Sequence, residues 1–105
     1  MNDRELLELA AKAAGNNAQW DCADRGMMVL SASGIDVDRW NPLTDDGDAL
    51  RLMVDLRILL RQRSDMVDAK ASPFVAMREL YGTDPYAATR RAIVRAAAEI
   101  GKEMP

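Results

Sequence analysis

Apolar residues recur at helical spacing over the first stretch of the chain. Leu6, Leu9, Ala10 and Ala13 share one face, Leu7 and Ala14 flank it, and Arg4, Glu5, Glu8 and Lys12 take the other. The pattern predicts an amphipathic helix over 3–14, capped by Asn2 or Asp3 and stopped by Gly15-Asn16-Asn17. Ala18–Cys22 and Met27–Ser31 read as two strands joined by Ala23-Asp24-Arg25-Gly26, which has turn chemistry at Asp24 and Gly26. Residues 35–40 alternate and predict a third strand or an extended edge, which Asn41-Pro42 closes.

The next segment predicts a long helix, capped at Thr44 and running to about Gln62. Asp45, Asp46 and Asp48 sit at its start and Arg57, Arg61 and Arg63 toward its end, so both groups complement the helix dipole. Its apolar coverage is broad. Ala49, Leu52, Met53, Leu56, Leu59 and Leu60 form one stripe, and Leu50, Val54 and Ile58 a second. A helix apolar on most of its circumference is normally buried, as the centre of a fold or against another chain. Residues 63–71 read as a polar loop. Ser72-Pro73 then opens a short helix with Phe74, Met77, Leu80 and Tyr81 on its inner side, ended by Gly82. Asp84-Pro85 starts a last helix whose inner face is Tyr86, Thr89, Ile93, Ala96, Ala97 and Ile100, ended by Gly101. The expectation is an α+β fold dominated by four helices, with a small antiparallel sheet (hairpin 18–31, third strand 35–40), in a single domain over 1–105.

Composition narrows the chemistry. The 105 residues include 14 basic and 17 acidic side chains, a net charge of −3, one cysteine and no histidine. Cys22 has no partner within the chain for a disulfide, and zinc sites and catalytic triads built on imidazole are excluded. No apolar run reaches the 18 or so residues that span a bilayer, and the acidic start is unlike a signal peptide. The expected place of action is therefore the cytoplasm. Charge is uneven: residues 1–43 hold 4 basic and 7 acidic residues, and residues 69–105 hold 6 and 4.

Three segments resemble the phage ABA-sandwich family, small proteins encoded by bacteriophages and prophages. They are Glu5-Leu6-Leu7-Glu8-Leu9-Ala10-Ala11-Lys12-Ala13-Ala14-Gly15, then Trp40-Asn41-Pro42-Leu43-Thr44-Asp45-Asp46-Gly47-Asp48-Ala49-Leu50-Arg51-Leu52, then the run from Asp84-Pro85-Tyr86-Ala87-Ala88-Thr89-Arg90-Arg91 to Gly101. They cover about two-fifths of the chain, in the family's order. The resemblance implies a small antiparallel sheet between helices, a phage origin and action in the host bacterium's cytoplasm. It implies no reaction and no catalytic residues. The chain departs from the family at 61–81, where a loop and a helix stand in place of further strand sequence, so a smaller sheet is expected.

Candidate chemistry is sparse. Asp45, Asp46 and Asp48 could hold a hard cation, but their spacing is not that of a calcium loop and no bidentate glutamate follows; a cap with dipole-matched acids accounts for them. Asp36 and Asp38 fit the wet side of an extended segment. Arg91, Arg95 and Lys102, with Arg90, could meet phosphates, but Glu99 interrupts them and the chain is acidic. Cys22 reads as a small hydrophobe, and Ser31-Ala32-Ser33-Gly34 lacks the pattern of a nucleophile elbow. No metal, cofactor or catalytic constellation is expected. Met53, Met66 and Met77 suit a core or an adaptable binding surface. The expected function is that of a non-enzymatic accessory protein binding a bacterial host protein, with an anti-CRISPR-type inhibitor of antiviral defence as its specific form. Leu50, Val54 and Ile58, with the three aspartates, are its candidate contacts, and the second apolar stripe is equally a candidate homodimer seam. A nucleic-acid-binding regulator using Arg91, Arg95 and Lys102 is the alternative.

Overall fold

The computed structural model describes residues 2–15, 18–21, 26–30, 37–72 and 75–104. The chain runs α1 (Asp3–Ala14), β1 (Ala18–Asp21), β2 (Gly26–Leu30), β3 (Val37–Trp40), α2 (Asp46–Asp55), β4 (Leu59–Gln62), β5 (Met66–Ser72), β6 (Val75–Leu80) and α3 (Pro85–Glu103). It is α+β, and the described residues form three helices and two antiparallel three-stranded sheets ordered β1-β2-β3 and β4-β5-β6. Cys22, Ser31–Ser33, Gly34, Ile35, Asp36, Pro73 and Phe74 lie outside the described residues.

Local chemistry sets the first and last helices. The Asn2 side-chain oxygen accepts from the Glu5 N–H at 2.8 Å, and Gly15 ends α1 with φ 72°, in the left-handed region open to glycine. Leu6, Leu7, Ala10 and Ala11 are its buried residues, so the inner face is turned slightly from the one expected, leaving Leu9 and Ala13 half-covered. At the start of α3, Asp84 accepts from the N–H groups of Tyr86 and Ala87, and Pro85 takes the first helical position. Three antiparallel strands form where the sequence placed them, the second beginning at Gly26 rather than Met27 and the third described from Val37, with Trp20 opposite Met27 and Met27 opposite Trp40; Ala23-Asp24-Arg25 lies outside the described residues.

The middle of the chain differs from expectation. The helix begins one residue later, with Asp45 rather than Thr44 as its cap, and ends at Asp55. Arg57 adopts φ 56°. The Arg57 N–H donates to the Val54 carbonyl at 3.2 Å and the Ile58 N–H to the Met53 carbonyl at 2.9 Å. This is the Schellman arrangement, closed here by an arginine where glycine is usual. With no glycine or proline to mark the stop, helical periodicity carried on through what is strand β4. The breadth of the apolar pattern has the same origin, since it superimposes a helix and a strand.

The expected loop at 63–71 and helix at 72–81 are β5 and β6. Val67 and Ala69 are buried while Asp68 and Lys70 point outward, a period of two. Met77 and Tyr81 also satisfy helical spacing, and Leu80 lies 68% exposed on the wet face, which disguised the alternation. The described residues thus hold three helices rather than the four expected. The expectation of a smaller sheet rested on reading 61–81 as loop and helix and is overturned with that reading.

The centre of the fold is α3, which packs against α1, α2, β5 and β6. Ala88, Ala92, Ile93, Val94, Ala96, Ala97, Ala98 and Gly101 are buried along it. Gly101 does not end the helix, which continues to Glu103. A Cβ built on Gly101 would lie 2.1 Å from the Leu9 carbonyl oxygen, so α1 and α3 touch backbone to backbone there. Tyr86, expected on the inner face, is 72% exposed.

Gly101→Ala is expected to lower stability by about 3 kcal/mol, the upper part of the usual overpacking range, because the obstacle is backbone and cannot rotate away. Arg57→Gly is expected to raise it by about 1 kcal/mol by relieving the left-handed conformation. Denaturant unfolding of the two variants measures both; unchanged stability in the first would contradict the close crossing.

Candidate functional site

The aspartates at the start of α2 make local hydrogen bonds and ion pairs. Asp45 accepts from the Asp48 N–H at 2.8 Å. Asp48 accepts from the Asn41 N–H at 2.9 Å and from Arg51 at 2.7 Å. Asp46 pairs with Arg90 at 2.6 Å, and Arg90 also donates to the Leu43 carbonyl at 2.8 Å, tying α3 to the turn before α2. Asn41 bends that turn by accepting from the Leu43 N–H, and Pro42 is fully buried beneath it. The acidic run is therefore committed to capping and ion pairing. Among the described residues no three acidic or thiol side chains converge as a metal site would require.

The candidate phosphate-binding cations are likewise paired. Arg91 lies 3.1 Å from Asp3 and 4.0 Å from Glu79, Arg95 bonds Glu79 and the Arg78 carbonyl, and Lys102 reaches Glu99 at 3.3 Å. Arg91 and Arg95 line a cleft between α1, β6 and α3 in which Glu79 and Glu99 balance them.

The second apolar stripe is divided. Leu50 and Val54 are 55% and 61% exposed on α2, while Ile58 lies beyond the helix end at 6% and belongs to the core. A seam formed by all three is therefore corrected: Ile58 has no free surface to offer.

What the structure brings together instead is a groove of about 400 Å³ between α2, β4 and the start of α3. Leu50 and Met53 form one wall, Leu60 and Tyr81 the floor, and Tyr86 and Ile93 the other wall. Its polar members are Gln62, Thr89 and the Asp46–Arg90 pair at its margin. Thr89 is occupied internally, its hydroxyl donating to the Pro85 carbonyl at 2.8 Å. A concave apolar surface with few polar groups is suited to binding.

A second surface lies on the outward face of the β4-β5-β6 sheet, where Arg61, Arg63, Lys70 and Arg78 surround Asp68. Arg78 bonds Asp68 at 2.9 Å and Arg63 approaches it at 3.6 Å. The hydrogen bond from Arg78 holds the Asp68 carboxyl below its ordinary value, with Coulombic attraction from Arg78, Arg63 and Arg61 adding to it against a desolvation cost; the same bond raises Arg78. Sequence reasoning missed both surfaces because each depends on strands it read as loop or helix. The alternation Val67, Asp68, Ala69, Lys70 was the available signal.

No family model matches the chain, and no curated protein or solved structure shows significant similarity to it. No helix in the described residues is long and apolar enough to cross a membrane.

Because the folded-state pKa of Asp68 is depressed, its contribution to stability is present above the ordinary carboxylate range. It is lost as the pH falls through that range toward the lowered value. Asp68→Asn should remove this part of the acid-unfolding curve, so parent and variant should converge at low pH and separate at neutral pH. Parallel curves in an acid titration followed by circular dichroism would contradict it.

Proposed function

We propose that this chain is a non-enzymatic protein-binding module, a phage-encoded accessory protein of the kind its three segments resemble, which binds a bacterial host protein in the cytoplasm through the groove between α2, β4 and α3. The observation that carries this reading is the groove itself: apolar, concave, and rimmed by Leu50 and Tyr86, both more than half exposed. Large apolar side chains gathered at a concave surface mark interaction sites more often than isolated ones do. The capping and ion-pairing duties of the nearby acids support a binding role over a catalytic one, since they leave no carboxylate pair in the groove poised for proton transfer.

Inhibition of a host antiviral defence, as by an anti-CRISPR-type protein, is the specific form we propose within this reading. It draws its support from the resemblance. Asp45, Asp46 and Asp48 also serve the fold as cap and ion-pair acceptors.

Affinity capture from bacterial lysate tests the reading when run with two variants. Leu50→Asp and Tyr86→Asp should each abolish recovery of the bound host protein while changing stability by no more than about 0.5 kcal/mol, since both side chains are exposed. Recovery equal to that of the parent protein would place the binding surface elsewhere. Light scattering on the same samples reads the homodimer: a dimer that Leu50→Asp converts to monomer would make a second copy the occupant of the groove.

A further inference from the structure

The chemistry of the partner can be taken further, resting on the groove as a protein-binding site. β4 is an outer strand, and among the described residues only β5 pairs with it. Its other edge is where an extended segment of another chain can add. The two faces of β4 differ in character. Leu60 and Gln62 point toward the apolar groove. On the opposite face the register sets Arg61 across from Asp68 and Asp68 across from Arg78, so one row of the sheet reads Arg, Asp, Arg. Lys70 and Arg63 join them, and four cations against Asp68 and the nearby Asp65 leave an excess of two positive charges on a chain whose net charge is −3. Asp68 is engaged by Arg78 and Arg63, while Arg61, the cation on β4 itself, is exposed and has no ion pair among the described residues.

We propose that β4 is the docking edge for an extended partner segment in which acidic and apolar residues alternate. Neighbours along a strand point to opposite faces, so one added strand meets both surfaces at once. Its carboxylates face Arg61 and Arg63, its apolar side chains enter the groove beside Leu50 and Tyr86, and its backbone pairs with β4. Two other occupants fit less well. A single-stranded nucleic acid would need a stacking platform, and the cationic face has no aromatic side chain among the described residues. A second copy pairing β4 to β4 would bring two Arg61 side chains onto one face, where like charges repel.

The test uses the full-length protein and a labelled peptide in which glutamate and valine alternate, followed by fluorescence anisotropy. The peptide should bind. A lysine–valine counterpart, and the same glutamate–valine peptide N-methylated at alternate residues to remove its ladder donors, should each bind at least about tenfold more weakly. Arg61→Glu should weaken binding of the unmodified peptide about tenfold, Arg61→Lys should retain most of it, and melting curves should show both variants folded. Equal binding of the acidic and basic peptides, indifference to N-methylation, or binding of oligodeoxythymidine in place of the peptide would each overturn the proposal. Lysate capture separates it from the reading beneath it. Loss of the host protein in Leu50→Asp with full recovery in Arg61→Glu overturns the β4 edge and leaves the groove standing; full recovery in both removes the groove.

Discussion

The contact on which the architecture depends is the crossing of α1 and α3 at Gly101, where one helix backbone lies against the other. Such an approach requires the absence of a side chain, and the alanines along α3 extend the same economy over the rest of the helix. A thin helix can be surrounded. It gives α3 room for α1 and α2 as well as the β4-β5-β6 sheet, and so lets a chain of 105 residues build its core around one element. Dispersion contacts are gained on nearly every side of α3, although no one side chain contributes much.

The end of α2 matters next. Arg57 turns the chain through a left-handed residue, and strand β4 follows after a single further residue. Because the turn is short, α2 and β4 stay close and form two sides of one groove, with the start of α3 as the third. The ion pair between Asp46 and Arg90 fixes α3 relative to α2 at the groove's margin. The shape of the site is thus held by a helix terminus and a side-chain clamp at opposite ends of the same ten-residue helix.

Much of the fold was legible in the sequence where a residue type has one strong local role. Asn2, Gly15, Asp84 and Pro85 marked their helix ends, and the first hairpin and third strand were readable from turn residues and alternation. The second sheet was not. Leu59 and Leu80 lie on its exposed side, and the helix before it stops on an arginine, so helical and extended spacings fitted the same residues. Gly101 was visible, but its meaning lay in a residue more than ninety positions away. The groove was half visible through Leu50. Tyr86 was placed on the wrong side of its helix, because the apolar face of α3 widens to most of its circumference and an aromatic at its first turn could belong to either side.

The row of Arg61, Asp68 and Arg78 has a wider consequence for how the molecule behaves in bulk solution. An acidic protein that gathers positive charge on one sheet face carries an uneven surface potential, and its sequence pI near 4.9 describes the sum and not the distribution. Such a molecule can adhere to a cation-exchange resin at a pH where its total charge is negative. Near other macromolecules it is turned by their fields before it touches them, over distances set by the ionic strength.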